Sequence, residues 1–148
     1  MFGSLPWDEA MTKWAYSYRA AFAAHPNTIQ VLSTTTVAAP GALRKYELVI
    51  AGLTRAGWQP AEAITVMMAV EAFVLGCALD LVAPEQMIDT TAAASEVPVL
   101  AAALRAAARS QGRSDEVFAD GLEAIIQGLR LRLAKPRRPR RNSHADRP

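Results

Sequence analysis

Apolar residues recur along this chain at intervals of three and four, and no stretch alternates convincingly at the interval of two that a half-buried strand requires. Trp7, Met11, Trp14, Tyr18 and Phe22 predict one face of a helix opened by Pro6 and ended at His25-Pro26. Asn27 is a fair N-cap for a short helix to about Ser33, followed by the β-branched Thr34 to Thr36 and a loop. Pro40 opens the next helix, with Leu43, Tyr46, Ile50 and Leu53 on one face and Gly57 where a terminating glycine belongs. Pro60 starts a long helix to about Ala83. Its apolar residues, among them Ile64, Met68, Val70, Leu75, Leu79 and Val82, lie nearly all round, so it must be covered on more than one side. A loop from Pro84 to Ser95 precedes a helix containing Pro98, Val99, Leu100 and Leu104, which closes before Gly112. Ser114 is placed to cap the last helix, with Asp115 and Glu116 favourable in its first turn. The stripe of that helix is Phe118, Gly121, Leu122, Ile125 and Leu129, widened by Ile126 and Leu133. The pattern predicts an all-α fold of five substantial helices and one short one, in a single domain over residues 1–134.

Composition narrows the setting. Half of the residues are apolar and a fifth are charged, as expected for a globular domain large enough to bury a core. The single cysteine, Cys77, excludes an intrachain disulfide, and its apolar neighbours suit a small buried side chain. A reducing, cytoplasmic location is expected. Met1 to Pro6 has no basic or apolar region of a signal peptide. The stretch from Ala63 to Ala83 is long enough to span a bilayer, but Glu71 and Asp80 within it favour a core helix of a soluble protein, with no membrane partner.

The net charge of +2 divides unevenly. From Lys135 onward six basic residues and one acidic give +5, while ten basic and thirteen acidic give −3 over the rest. Residues 135–148 contain three prolines and no large apolar side chain, which predicts a disordered basic tail. Such a run attracts phosphate in a sequence-blind way, although no aromatic is present to stack on bases; a purely solubilising extension is the other reading.

Several landmarks fall in the order found in the C-terminal domain of TetR-family transcriptional regulators, which this chain resembles over roughly residues 5–133. They are Trp7, Trp14 and Tyr18-Arg19 running into His25-Pro26, then Leu43-Arg44-Lys45-Tyr46-Glu47 ending at Ala56-Gly57 with Pro60-Ala61-Glu62-Ala63 after it. Phe73-Val74-Leu75-Gly76 follows, and finally Phe118-x-x-Gly121-Leu122 with Gly128. The resemblance implies a TetR-like helical bundle that senses a small hydrophobic or amphipathic effector and forms a homodimer. Dimerisation would join the long apolar helix and the last helix to their symmetry mates in an isologous contact. The N-terminal helix-turn-helix of such regulators has no counterpart in these residues, so no specific DNA binding is expected of this chain alone. Mixed dimers with a full-length regulator, or a helical interaction module without a small-molecule ligand, are the alternatives.

The expected dimer contact comprises Phe73, Gly76, Phe118, Gly121, Leu122, Ile125, Gly128 and Leu129. Gly121 and Gly128 sit seven residues apart on nearly one side of a helix, and each costs roughly 1 kcal/mol relative to alanine unless another backbone approaches. Packing within the chain is the simpler account. Trp14, Tyr18, Tyr46, Met67, Glu71 and Val74 are candidates to line a ligand pocket, since such sites are mostly apolar and aromatic with a few orienting polar groups. Glu71, the only charge between Ala63 and Leu79, needs a partner or a wet cavity, and it could orient a cationic or hydrogen-bonding ligand. Otherwise the aromatics are core, and Glu71 reaches solvent or pairs with an arginine.

Catalysis finds little support. His25 ends a helix and His144 lies in the tail; there is no metal-ligand cluster, glycine-rich phosphate loop or Gly-x-Ser-x-Gly elbow. No enzyme activity, cofactor or metal is expected.

Overall fold

A computed structural model of the chain describes residues 2–25, 36–81, 88–107 and 113–135. The short helix expected after Asn27 and the tail beyond Lys135 lie outside the described residues. Within them are five α-helices and no strand: α1 (Trp7–Ala24), α2 (Pro40–Arg55), α3 (Pro60–Leu79), α4 (Pro98–Ala107) and α5 (Arg113–Ala134), with one 3-10 turn at Thr91–Ala93.

Local sequence sets most of the helix ends. Pro6 precedes α1, and Asp8 and Glu9 occupy its first turn, where carboxylates suit the helix dipole. Pro40 is the first residue of α2. At its other end Gly57 takes φ +107°, a conformation side chains disfavour. There the Trp58 N–H donates to the Leu53 carbonyl at 3.1 Å and the Gly57 N–H to Thr54 at 3.0 Å. That is a Schellman closure, which satisfies the orphan carbonyls and turns the chain sharply into α3. Gln59 and Glu62 then form a capping box at the start of α3.

Three expected boundaries move. The long helix ends at Leu79 rather than near Ala83. The loop before α4 contains the 3-10 turn, and α4 begins at Pro98, whose missing N–H suits a first turn. Ser114 is not the cap of α5 but sits inside its first turn, where its hydroxyl accepts from Arg19 Nη2 at 3.1 Å.

α3 is the central helix, packed against α1, α2 and α5. Its inner face, including Ala63, Val66, Val70, Val74 and Ala78, meets Met11, Ala15 and Phe22 of α1 in one buried cluster. Val49 and Leu53 of α2 join the same cluster, as do Phe118, Leu122 and Ile126 of α5. α3 is long and apolar enough to cross a membrane by length and composition, but here it is the core helix of the bundle. α4 is peripheral and buries only Ala101.

Aromatic contacts tie α1 to the far end of the bundle. Trp7 meets Trp58 edge-on with ring centroids 5.8 Å apart, and the Arg132 guanidinium lies over the Trp58 ring, 5.5 Å from its centre. Asp8 and Arg130 add an ion pair at 2.6 Å between α1 and α5.

Candidate functional site

A cavity of about 450 Å³ opens between α1 and α2. Four-residue spacing puts Trp14 and Tyr18 on one side of α1, with ring centroids 5.4 Å apart in a stack. Ser17 and Ala21 flank them. From α2 come Ala42, Lys45, Tyr46 and Val49, one face at intervals of three and four. The two alanines leave room that larger side chains would fill. Phe2 and Val37 complete the wall, and Phe2 is anchored where its carbonyl accepts from Arg55 Nη2 at 2.7 Å. Lys45 and Leu48 are exposed, so the cavity communicates with solvent along that edge of α2.

Behind the aromatic wall sits Glu71 of α3. Its Oε1 accepts from the Tyr46 hydroxyl at 2.5 Å and from the Tyr18 hydroxyl at 2.9 Å. Burial first, and then the hydrogen bond to Glu71 and its charge, push the Tyr46 hydroxyl up to about 12. The same causes in the same order raise Tyr18 well beyond the ordinary phenol range. Both phenols therefore stay protonated as donors, and the carboxylate is held by two neutral groups rather than by an arginine.

Three of the expected pocket residues, Trp14, Tyr18 and Tyr46, lie on the cavity wall. Met67, Glu71 and Val74 do not. Met67 and Val74 point into the core, where the inner face of α3 meets α1 and α2. Glu71 is one layer back, separated from the cavity by the phenols it binds. Ser17, Lys45 and Val49 were not expected; a step of three along the helix reaches Ser17 from Trp14 and Val49 from Tyr46, whereas Lys45 is the residue just before Tyr46. Phe2 and Val37 leave no such signal, because they lie outside the helices.

The residues expected at a dimer contact divide. Phe118 and Leu122 are buried in the chain's own core, and Phe73, Ile125 and Leu129 pack against it. These side chains already have intramolecular partners, because the main stripe of α5 faces inward. Gly121 is also accounted for within the chain: a Cβ there would come within 2.7 Å of the Phe73 ring. Gly76 and Gly128 are exposed, and nothing lies within 4 Å of where their Cβ atoms would be.

Around those two glycines runs an uncovered apolar surface. On α3 it includes Ile64, Met68 and Leu79, with exposures of 44, 58 and 53%. On α5 it includes Val117 and Leu131, 50 and 67% exposed. Gly121 faces Phe73 of α3, so Val117, Ala124 and Gly128 on the same flank of α5 continue the outer surface of α3.

Residues 3–133 match the family described as Tetracyclin repressor-like, C-terminal domain. The chain belongs to this family. A crystal structure of a possible TetR family transcriptional regulator from Streptomyces coelicolor A3(2) has the same fold, with a TM-score of 0.71 and 27% sequence identity. The likeness covers 87% of this chain and 67% of that one. No curated protein matches the chain significantly. The all-α TetR C-terminal fold expected from the sequence is thus the fold of this chain. Among the described residues there is no cluster of side chains able to hold a metal ion.

Proposed function

We propose that this domain is the ligand-sensing and dimerisation part of a TetR-like transcriptional regulator, and that its effector occupies the cavity between α1 and α2. The observation that carries this reading is the cavity itself. Its volume lies within the range of small-molecule sites, and its wall is aromatic and aliphatic with few polar groups.

The proposed output is a change at the outer faces of α3 and α5. Tyr18 and Tyr46 belong both to the cavity wall and to the hydrogen bonds on Glu71, so displacing either ring pulls on α3. The bare surface of α3 and α5 would meet its copy in an isologous homodimer through Ile64, Met68, Gly76, Leu79, Val117, Gly128 and Leu131. Effector binding would then favour one spacing of the two subunits over another. In a regulator carrying reading heads, that spacing sets whether both heads fit successive major grooves.

A thermal-shift panel of small amphipathic compounds tests the reading, because a ligand that binds only the folded state raises its stability. The wild-type domain is expected to respond to some members. Ala42→Trp, which fills the cavity, is expected to fold and to lose that response. An identical response from the filled variant would place binding elsewhere.

A further inference from the structure

We propose that the ligand of this cavity is an amphipathic anion, its carboxylate or equivalent acidic head at Lys45 and its apolar body between Trp14, Tyr18 and Val49. The inference deepens the functional proposal above and rests on it.

Charge supplies the first reason. Among the described residues of the cavity wall, Lys45 is the only charged side chain and none is acidic. Among the described residues it has no ion-pair partner, whereas Arg19, Arg130 and Arg132 are all paired with carboxylates. A lysine stem can lie along an apolar wall while its ammonium stays at the wet edge, which is where an amphiphile's head group would sit.

Hydrogen-bonding capacity supplies the second. The phenolic protons of Tyr18 and Tyr46 are both committed to Glu71, and the Ser17 hydroxyl donates to the Trp14 carbonyl at 2.8 Å. Among the described residues, the side-chain donors of the wall without a partner are the Lys45 ammonium and the Trp14 indole N–H. The hydroxyl oxygens of Ser17, Tyr18 and Tyr46 can still accept, but they are neutral, so the one charged donor on the wall, Lys45, selects an anionic head group.

Glu71 is the one group that argues for a cation instead, and geometry removes it from contention. It is not among the wall residues, and the two phenols that are on the wall both donate to its Oε1.

The test uses three probes with one apolar body and different heads: decanoate, decanol and decylamine. Their affinities are measured by calorimetry on the wild-type domain, Lys45→Gln and Lys45→Arg. Decanoate is expected to bind at least about fivefold more tightly than either of the others, the scale of one partly exposed charge-assisted contact. Lys45→Gln should abolish that preference and Lys45→Arg should retain it. Because Lys45 is exposed, neither substitution disturbs the core. Equal or tighter binding of decylamine, or a carboxylate preference that survives Lys45→Gln, overturns the head-group assignment alone. Failure of all three probes to bind overturns it too, and only that outcome also counts against the cavity as an effector site.

Discussion

The Tyr46 hydroxyl donates to Glu71 Oε1 at 2.5 Å, and Tyr18 reaches the same oxygen at 2.9 Å. One carboxylate oxygen therefore joins α1, α2 and α3 at the back of the cavity. A charge in this half-buried position is tolerated because two oriented donors take the place of water. The arrangement has a measurable consequence at alkaline pH.

Both phenols titrate late in the folded state. An unfolded tyrosine loses its proton near the ordinary value of 10.0, whereas folded Tyr46 holds it to about 12, and Tyr18 is raised as well. Between those pH values the folded chain binds more protons than the unfolded chain, so stability falls as pH rises. The contribution is intact below pH 10 and is lost through about pH 12. Denaturant midpoints stepped across that window should decline steadily, and Glu71→Gln should flatten the decline in part, removing the carboxylate's share while burial of the phenols remains. A midpoint equally pH-dependent in the variant would show that Glu71 is not its source.

The two glycines of α5 should respond in opposite ways to alanine. At Gly121 a Cβ would approach the Phe73 ring to 2.7 Å, and that ring would have to shift from its stack on the buried Phe118. Overpacking of this kind costs about 1–3 kcal/mol, which outweighs a helix-propensity gain of roughly 1 kcal/mol. Gly128 has open space, so Gly128→Ala should leave the fold at least as stable as wild type. The comparison is read from urea unfolding of the isolated subunit, with both variants at the same concentration. Destabilisation at both positions, or at neither, contradicts the packing described for Phe73.

Arg19 should matter far more than its ion-pair partner Asp115. Its guanidinium lies 4.8 Å from the centre of the buried Phe118 ring, and its side chain is 13% exposed. Asp115, its ion-pair partner at 2.7 Å, is 78% exposed. An exposed carboxylate contributes little, so Asp115→Asn should change stability by under about 0.5 kcal/mol. Arg19→Ala removes the ring contact, the bond to Ser114 and the packing of a long stem, and should cost about 2 kcal/mol. Thermal unfolding of the two variants side by side makes the comparison.

Much of this fold was legible because its helices begin and end on residues with strong local preferences. Pro6, Pro40, Pro60 and Gly57 act through their own backbone geometry, so their effect is readable without knowing the tertiary structure. The aromatic spacing of α1 likewise placed Trp14 and Tyr18 on one face. What the pattern could not supply was direction. α3 is apolar on every side, so periodicity alone does not say which part meets α1 and which stays bare. That is why Met67 and Val74 fall in the core and Met68 does not. On α5 the stripe of large apolar residues was legible, but it serves the chain's own core; the candidate contact surface is the smaller, less obvious flank of Val117, Ala124, Gly128 and Leu131. Lys45 carries no signal of its place on the wall, because an isolated lysine on a helix ordinarily reads as solvated surface.

The flank beside α3 gives the last prediction. If α3 and α5 form the homodimer contact, Met68 and Leu131 become buried on association, each twice because the contact is isologous. Removing such a side chain from a contact costs about 1.5–3 kcal/mol, and a buried unpaired carboxylate adds to it. Met68→Glu combined with Leu131→Glu should therefore convert the dimer to a monomer in sedimentation while leaving the helical circular dichroism intact. Both side chains are already exposed in the single chain, 58 and 67%, so the substitutions take nothing from its core. Gly128→Leu should act in the same direction by adding bulk where two backbones would approach. A dimer mass unchanged in both variants would rule out this surface as the contact.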